Sequence, residues 1–221
     1  MVFISLVKFT ICSSSTTGGI VLKEGIGARP LGMAEAYTGV ADDATGILWN
    51  PAGIADIVKN KISVTYFSSI AETSQSFISF ASPIIEWNSA FSLSLKILDG
   101  GILEKRFPGW EEGRFEKISA EQDYLIIGTY SQKILKDLNG GGNIKVLLSS
   151  LASRFPIWVF AVDLGLLYKY VIFGNKLKVG LSIQNIGTDI KYLEYSDPSP
   201  LKYNLGLSYS IPIDKDLYLM P

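Results

Sequence analysis

From Ile62 onward the chain alternates apolar and polar side chains and never joins the apolar ones into a long run. The clearest case is 157–170, Ile-Trp-Val-Phe-Ala-Val-Asp-Leu-Gly-Leu-Leu-Tyr-Lys-Tyr. Successive strand side chains point to opposite faces. Trp158, Phe160, Val162, Leu164, Leu166, Tyr168 and Tyr170 therefore share one uniformly apolar face. Asp163, Gly165 and Lys169 stand among smaller apolar residues on the other. Soluble strands typically have about five or six residues, and a tilted strand crosses a bilayer with roughly 9–11. This segment exceeds both. Its apolar face meets either lipid, in a membrane barrel, or a second sheet, in a soluble sandwich.

The same period recurs along the chain. Ile62, Val64 and Tyr66 oppose Ser63 and Thr65, and a weaker strand over Gln75–Ser82 ends at Pro83. Phe91, Leu93, Leu95 and Ile97 alternate with Ser92, Ser94 and Lys96, and Asp99-Gly100-Gly101 supplies a turn. The charged stretch 103–121, with Pro108-Gly109 and Trp110, predicts a long exposed loop. A strand follows over Asp123–Gln132, then a turn at Asn139-Gly140-Gly141-Gly142 that leads into a strand over Asn143–Ser150. Alternation returns at Lys176–Gln184 and again from Leu201 to Ile211. Turns between such strands make an antiparallel meander. Its polar parity is mostly Ser, Gly, Asn and Gln, with an occasional Lys or Asp. Small polar residues suit a crowded barrel lumen better than an open, charged surface. Trp158, Tyr168 and Tyr170, near the strand ends, suit the aromatic girdles of a membrane interface. The pattern favours the barrel. Asp163 and Lys169 are candidate lumen-facing charges, and the seven apolar residues from Trp158 to Tyr170 are candidate lipid-facing residues.

Residues 25–58 depart from the alternation and are rich in Gly and Ala. Asn50-Pro51-Ala52-Gly53 predicts a short helix: Asn is a favoured N-cap, and Pro suits the first helical position. The helix should run to about Val58. Met1–Thr17 has an apolar start broken by Lys8 and reads as a degraded signal peptide or a leader. The expected organisation is a leader over 1–18, an N-terminal segment over 19–60 and strands over 61–221.

Composition narrows the chemistry. Of 221 residues, 48% are apolar, yet no run of about 18 apolar residues exists to serve as a membrane helix. Twenty basic and 21 acidic residues leave a net charge of −1, without a field to attract nucleic acid. The chain has no His, the commonest general base and transition-metal ligand. Cys12 is the single cysteine, so an intrachain disulfide is excluded. Asp42-Asp43 reads as turn and capping carboxylates rather than an acid–base pair or ion site. Gly140–Gly142 lacks the Gly-Lys-Ser/Thr ending of a phosphate loop. Ser13–Ser15 and Ser149-Ser150 have no His partner. No catalytic residue, metal site or cofactor is expected.

Three pieces of 25–54 stand in order: Gly27-Ala28-Arg29-Pro30-Leu31-Gly32-Met33, Val40-Ala41-Asp42-Asp43-Ala44 and Trp49-Asn50-Pro51-Ala52-Gly53. Together they resemble the N-terminal motif of the PorV/PorQ family of bacterial outer-membrane proteins, relatives of the FadL-type long-chain fatty acid transporters. Asp163–Tyr168 and Gly180–Gly187 resemble the family's mid-barrel strands, and the likeness runs from about Gly19 to Ile211. It implies an all-β fold, a 14-stranded antiparallel transmembrane barrel with an N-terminal plug in its lumen. Gly27, Arg29, Pro30, Gly32, Asp42, Asp43, Trp49, Asn50, Pro51, Ala52 and Gly53 would form the plug motif. It also implies outer-membrane lipid as surroundings. The partner would be either a hydrophobic small molecule in transport, or cargo and components of the type IX secretion system. Ala34-Glu35 departs from the family's usual Gly-Gly. Only roughly eight to ten strands fit before Leu219-Met220-Pro221, so a truncated barrel is expected. A soluble secreted β-sandwich that binds a ligand or partner is the competing expectation.

Overall fold

The structure, a computed structural model, describes residues 2–12, 18–69, 72–105, 115–152, 155–172, 175–192, 194 and 196–211. Ser13–Ser15, Pro108-Gly109-Trp110 and Leu219-Met220-Pro221 lie outside the described residues. Eleven strands form among those described: β1 (Val2–Cys12), β2 (Lys61–Ser68), β3 (Ser74–Ile84), β4 (Ser89–Asp99), β5 (Ile102–Lys105), β6 (Glu116–Ser119), β7 (Glu121–Leu135), β8 (Leu138–Leu151), β9 (Phe155–Ile172), β10 (Asn175–Gly187) and β11 (Lys202–Ile211). Nine of them join one antiparallel sheet in the order β1-β11-β10-β9-β8-β7-β4-β3-β2, curled as a half-barrel. β5 and β6 make a separate hairpin. Two short α-helices, α1 (Ile20–Lys23) and α2 (Ala28–Gly32), and 3-10 turns at Gly46–Leu48 and Pro51–Asp56 punctuate the N-terminal segment.

The fold is all-β, as the alternation predicts, with differences at several boundaries. Val2–Cys12, read as part of a leader, is extended and pairs in register with β11. Pro83 does not end its strand, because β3 continues to Ile84. Part of the expected loop 103–121 is the β5–β6 hairpin, whose residues pair with each other and not with the main sheet. The helix expected from Pro51 is a 3-10 turn ending at Asp56. Gly140–Gly142 is not a turn. These glycines lie within β8, paired to Gln132–Tyr130 on one side and Leu166–Leu164 on the other. The reversal comes earlier, at Lys136-Asp137.

Strand parity sorts the side chains as the sequence indicates. Trp158, Phe160, Val162, Leu164, Leu166, Tyr168 and Tyr170 all point outward and are exposed, Trp158 at 62% and Leu164 at 52%. Ile62, Val64, Tyr66, Leu93, Ile126, Ile144 and Leu181 continue this apolar surface on neighbouring strands. No second sheet covers it among the described residues. The opposite parity is buried and largely polar, with Ser79, Ser92, Ser94, Thr129, Asn143, Ser149, Asp163, Ser182, Gln184, Asn204 and Ser208. A soluble sandwich sorts its side chains the other way, apolar inward and polar outward.

Residues 18–60 pack against this inner face. Ile26, Ile47 and Ile54 meet Phe77, Leu98, Leu125, Ile127, Leu147 and Val159 in one apolar cluster. Tyr37, Val40, Ala41 and Trp49 form a second cluster within the segment. Ala34 and Glu35, where the resemblance calls for Gly-Gly, both adopt positive φ, 49° and 63°. Only glycine enters that region without a Cβ clash, so the backbone conformation supplies a reason for a glycine pair. Ala34 is exposed. Ala34→Gly is therefore expected to leave stability unchanged or raise it by up to about 1 kcal/mol, against the usual loss on introducing glycine. An unfolding midpoint well below that of the parent would contradict this.

Candidate functional site

The three motif pieces converge in the N-terminal segment. Arg29 Nη1 donates to the Tyr37 hydroxyl (2.9 Å) and to Asp42 Oδ1, and its guanidinium lies 5.2 Å from the Tyr37 ring centre. The Tyr37 hydroxyl donates in turn to Asp43 Oδ2 (2.8 Å). Asp43 Oδ1 accepts from Thr45 N (2.9 Å), Thr45 Oγ1 (2.6 Å) and Gly46 N (3.0 Å), the capping role expected of the acidic pair. Lys61 Nζ donates to the Asp42 carbonyl and ties the cluster to β2. Burial and then the two carboxylates push the Tyr37 hydroxyl pKa up. Burial pulls the Arg29 pKa down, but the Asp42 bond and the surrounding negative charge outweigh it and the net shift is upward. Both groups keep their protons at any ordinary pH, and the cluster is a fixed structural joint.

Trp49-Asn50-Pro51-Ala52-Gly53 fastens the segment to the sheet. Asn50 is fully buried; its Nδ2 donates to the carbonyls of Thr38 and Leu166 (both 3.0 Å), and its Oδ1 caps Ala52 N (3.1 Å). The N-cap was legible in the sequence; the bond to β9 was not. Pro51 and Ala52 lie so close to Gly141 that an added Cβ there would meet the Pro51 carbonyl carbon at 2.7 Å. A Cβ on Gly53 would meet the Ala41 carbonyl oxygen, and one on Gly25 would meet the Trp49 ring. Gly27 has φ 133°, a conformation that favours glycine, and Pro30 is buried behind it. Gly32 faces open space, and nothing around it demands a glycine.

The inward polar parity has a definite task. Residues 18–60 form little regular structure, so many of their backbone carbonyls need donors from elsewhere. The sheet supplies them. Ser79 donates to Ala44 O, Asn143 to Ile47 O, Ser182 to Trp49 O, Gln184 to Leu48 O and Trp49 O, Asn185 to Leu22 O, and Lys96 to Val21 O and Glu24 O. A sheet with an apolar inner face could not hold this irregular chain without leaving those carbonyls unsatisfied.

Asp163 and Lys169 both point inward, as expected, but they do not pair with each other. Asp163 is fully buried and Lys145 is 4% exposed; Asp163 Oδ2 takes Lys145 Nζ and Asn143 Nδ2 (both 2.7 Å), and Oδ1 takes Asn185 N (2.8 Å). Lys169 instead reaches the segment at Asp56 (2.5 Å), which also contacts Lys133 (3.5 Å) and Asn139 Nδ2 (3.0 Å). Lys96 and Lys145 stand on the same buried, small polar parity as Asp163, and the alternation alone marks them as inward charges.

Burial pushes the Asp56 pKa up. The bond and charge of Lys169, then Asn139 and Lys133, outweigh it and hold this carboxyl below its ordinary value of 3.8. A depressed folded-state pKa adds stability that is fully present above the unfolded value and is lost as pH falls through the folded one. The difference in unfolding midpoint between the parent and Asp56→Asn should thus hold steady from pH 7 to about 5 and shrink below about 4. A difference that grows on acidification would show that the pairing does not hold.

Two spaces adjoin these contacts. A groove of about 1090 Å³ involves Tyr130, Ile144, Leu164, Leu166, Leu181 and Leu205 of the outward parity, where Gly140 and Gly142 leave room. A smaller cavity of about 360 Å³ lies at one end of the sheet, with Phe67, Leu98 and Leu103 among its apolar walls. Compared with known proteins, the chain matches no family model and no curated sequence. No group of three or more His, Cys, Asp or Glu side chains gathers to hold a metal among the described residues.

Proposed function

We propose that the chain is a non-enzymatic outer-membrane β-barrel protein of the PorV/FadL type, with lipid against its outward strand parity and residues 19–60 as a plug. One observation carries this reading: the same strands expose Trp158, Phe160, Val162, Leu164 and Leu166 and bury Asn143, Lys145, Asp163 and Ser182. In water that arrangement leaves a large apolar surface uncovered. In a bilayer it places apolar residues against hydrocarbon and polar ones in the lumen.

Of the two roles carried by the resemblance, we favour movement of a hydrophobic molecule over handling of type IX secretion cargo. A space lined in part by apolar side chains lies beside the plug at one end of the sheet, and pockets of about 300 Å³ and above are large enough for small ligands. Displacement of the plug from the Gly141, Gly165 and Gly180 wall would open a path past it. The test is fractionation of the expressed chain. It should sediment with the outer membrane and leave it only in detergent. Recovery as a monomer from buffer without detergent would discard the membrane reading and favour a soluble binding module. Accumulation of a secretion substrate in a deletion strain, with uptake of apolar solutes unchanged, would move the role to secretion.

A further inference from the structure

The β10–β11 connection, residues 188–201, turns back over the N-terminal segment. Its described residues have two sides: Ile190 and Pro200 are buried, and Asp189, Lys191, Glu194 and Asp197 are exposed. Ile190 and Asp197 exchange backbone hydrogen bonds of 2.8 and 2.9 Å, which close the connection on itself. Ile190 is fully buried in the same apolar cluster as Val21 and Leu22 of α1, and a Cβ on Gly19 would come within 2.7 Å of its Cδ1. Tyr192 packs against that cluster, and its hydroxyl shares a 2.7 Å hydrogen bond with Ser149 on the inward face of β8. The β10 register shifts between Ile183 and Ile186, where Asn185 has φ 61°. Asn185 Nδ2 donates to Leu22 O in α1 (3.2 Å) and to Pro200 O in the connection (3.1 Å), and the Asn185 carbonyl accepts from Ser199 Oγ (2.8 Å).

Connections ordinarily run over a protein's surface and bury little. This one buries an isoleucine against a four-residue helix that is too short to be stable alone. Each covers the other: raising the connection exposes Val21 and Leu22, and releasing α1 uncovers Ile190. The Asn185 amide is bonded to both, so loss of either leaves it a buried N–H without that acceptor. We infer that the β10–β11 connection is a lid latched on α1 by Ile190, and that lid and helix open as one unit. The lid stands at the end of the sheet that carries the long connections 100–120 and 188–201, whereas two-residue turns at 136–137 and 173–174 mark the other end. In outer-membrane barrels the longer connections face the cell exterior. The lid then closes the outer mouth above the plug, and a hydrophobic molecule arriving from outside needs it raised. That gating role rests on the transport reading; the latch itself rests on the contacts of Ile190 and Asn185.

The test uses the full chain with Cys12→Ser as background and has two arms. A Cβ on Gly18 would lie 3.7 Å from Ile190 Cβ, close to the roughly 3.8 Å spacing of a disulfide. Gly18→Cys with Ile190→Cys should therefore cross-link on treatment of expressing cells with copper phenanthroline. Uptake of radiolabelled dodecane, less that of cells with empty vector, should fall at least about fivefold on cross-linking and return on reduction. In the second arm, purified protein in detergent carries Leu22→Cys and is treated with a maleimide. Ile190→Ala should speed labelling at position 22 about tenfold or more, and Asp189→Ala, on the exposed side of the connection, should not change it. Failure of the cross-link, or labelling at position 22 that is the same with Ile190→Ala, overturns the latch. A cross-link that leaves dodecane uptake unchanged overturns the gate and leaves the transport role standing. No uptake above empty vector by the reduced protein removes the transport role, and the latch is then decided by the cross-link and the labelling alone.

Discussion

Asp163→Asn is expected to destabilise the protein by about 3–5 kcal/mol, the usual cost of leaving one member of a buried ion pair uncompensated. The geometry makes the two partners unequal. Without its carboxylate partner, the Lys145 ammonium still donates to Asn185 Oδ1 at 2.8 Å, in a site almost closed to solvent. Without Lys145, the Asp163 carboxylate still takes N–H groups from Asn143 and from the Asn185 backbone. Lys145→Met should therefore cost less than Asp163→Asn. The double variant should recover most of the loss, because it removes the orphaned charge and replaces the lysine stem with apolar volume. Equilibrium unfolding of the three variants in one detergent reads all of this. Equal losses for the two single variants, or a double variant no better than Asp163→Asn, would show that the pair is not the anchor its geometry describes. Asn143 also donates to Ile47 O and Asn185 to Leu22 O. Loss of the ion pair should therefore loosen residues 19–60 as well, seen as faster proteolysis within them.

Periodicity revealed most of the sheet and little of what lies against it. The alternation from Trp158 to Tyr170 marked the exposed parity of that stretch of β9, because a half-covered strand leaves the period of its environment in the residues themselves. Asp163 and Lys169 were legible as inward charges for the same reason. Their partners were not: Lys145 lies on the adjacent strand and Asp56 on the segment opposite, and register was needed to bring them together. The charged run at 103–121 looked like a loop because the β5–β6 hairpin lies outside the main sheet, so no strict alternation is imposed on it. Gly140–Gly142 misled for a different reason. Three glycines in a row satisfy the local signature of a turn, yet here Gly141 is small because Pro51 and Ala52 press against it. That cause sits about ninety residues away in sequence and leaves no local trace.

The glycines that receive the segment carry the second large effect, and Gly180→Val is expected to cost at least about 3 kcal/mol, the upper end for overpacking. Gly180 on β10 and Gly206 on β11 are opposite each other in register, and Gly141 on β8 and Gly165 on β9 are another such pair. All four belong to the inward face against which residues 38–53 lie. A Cβ on Gly180 would overlap the Thr38 carbonyl oxygen and come within 2.7 Å of its carbon and 2.9 Å of Gly39 Cα. These are backbone atoms, so no rotamer change relieves the contact. At Gly165 the first atoms met are Asn50 Oδ1 and the Pro51 ring at 2.8 Å, and displacing Asn50 breaks its bond to Leu166 O. Gly128 is the control, because its missing Cβ faces open space. Gly128→Val should leave the unfolding midpoint nearly unchanged. A glycine lost only for its effect on strand propensity would make the three valine variants alike. If close approach of the segment is what the glycines serve, Gly180→Val and Gly165→Val should lower the midpoint and expose residues 19–60 to protease. Gly128→Val should do neither. A segment that still resists protease in Gly180→Val would mean that it does not rest on the inner face at this position, and the path proposed for a hydrophobic molecule could not run there.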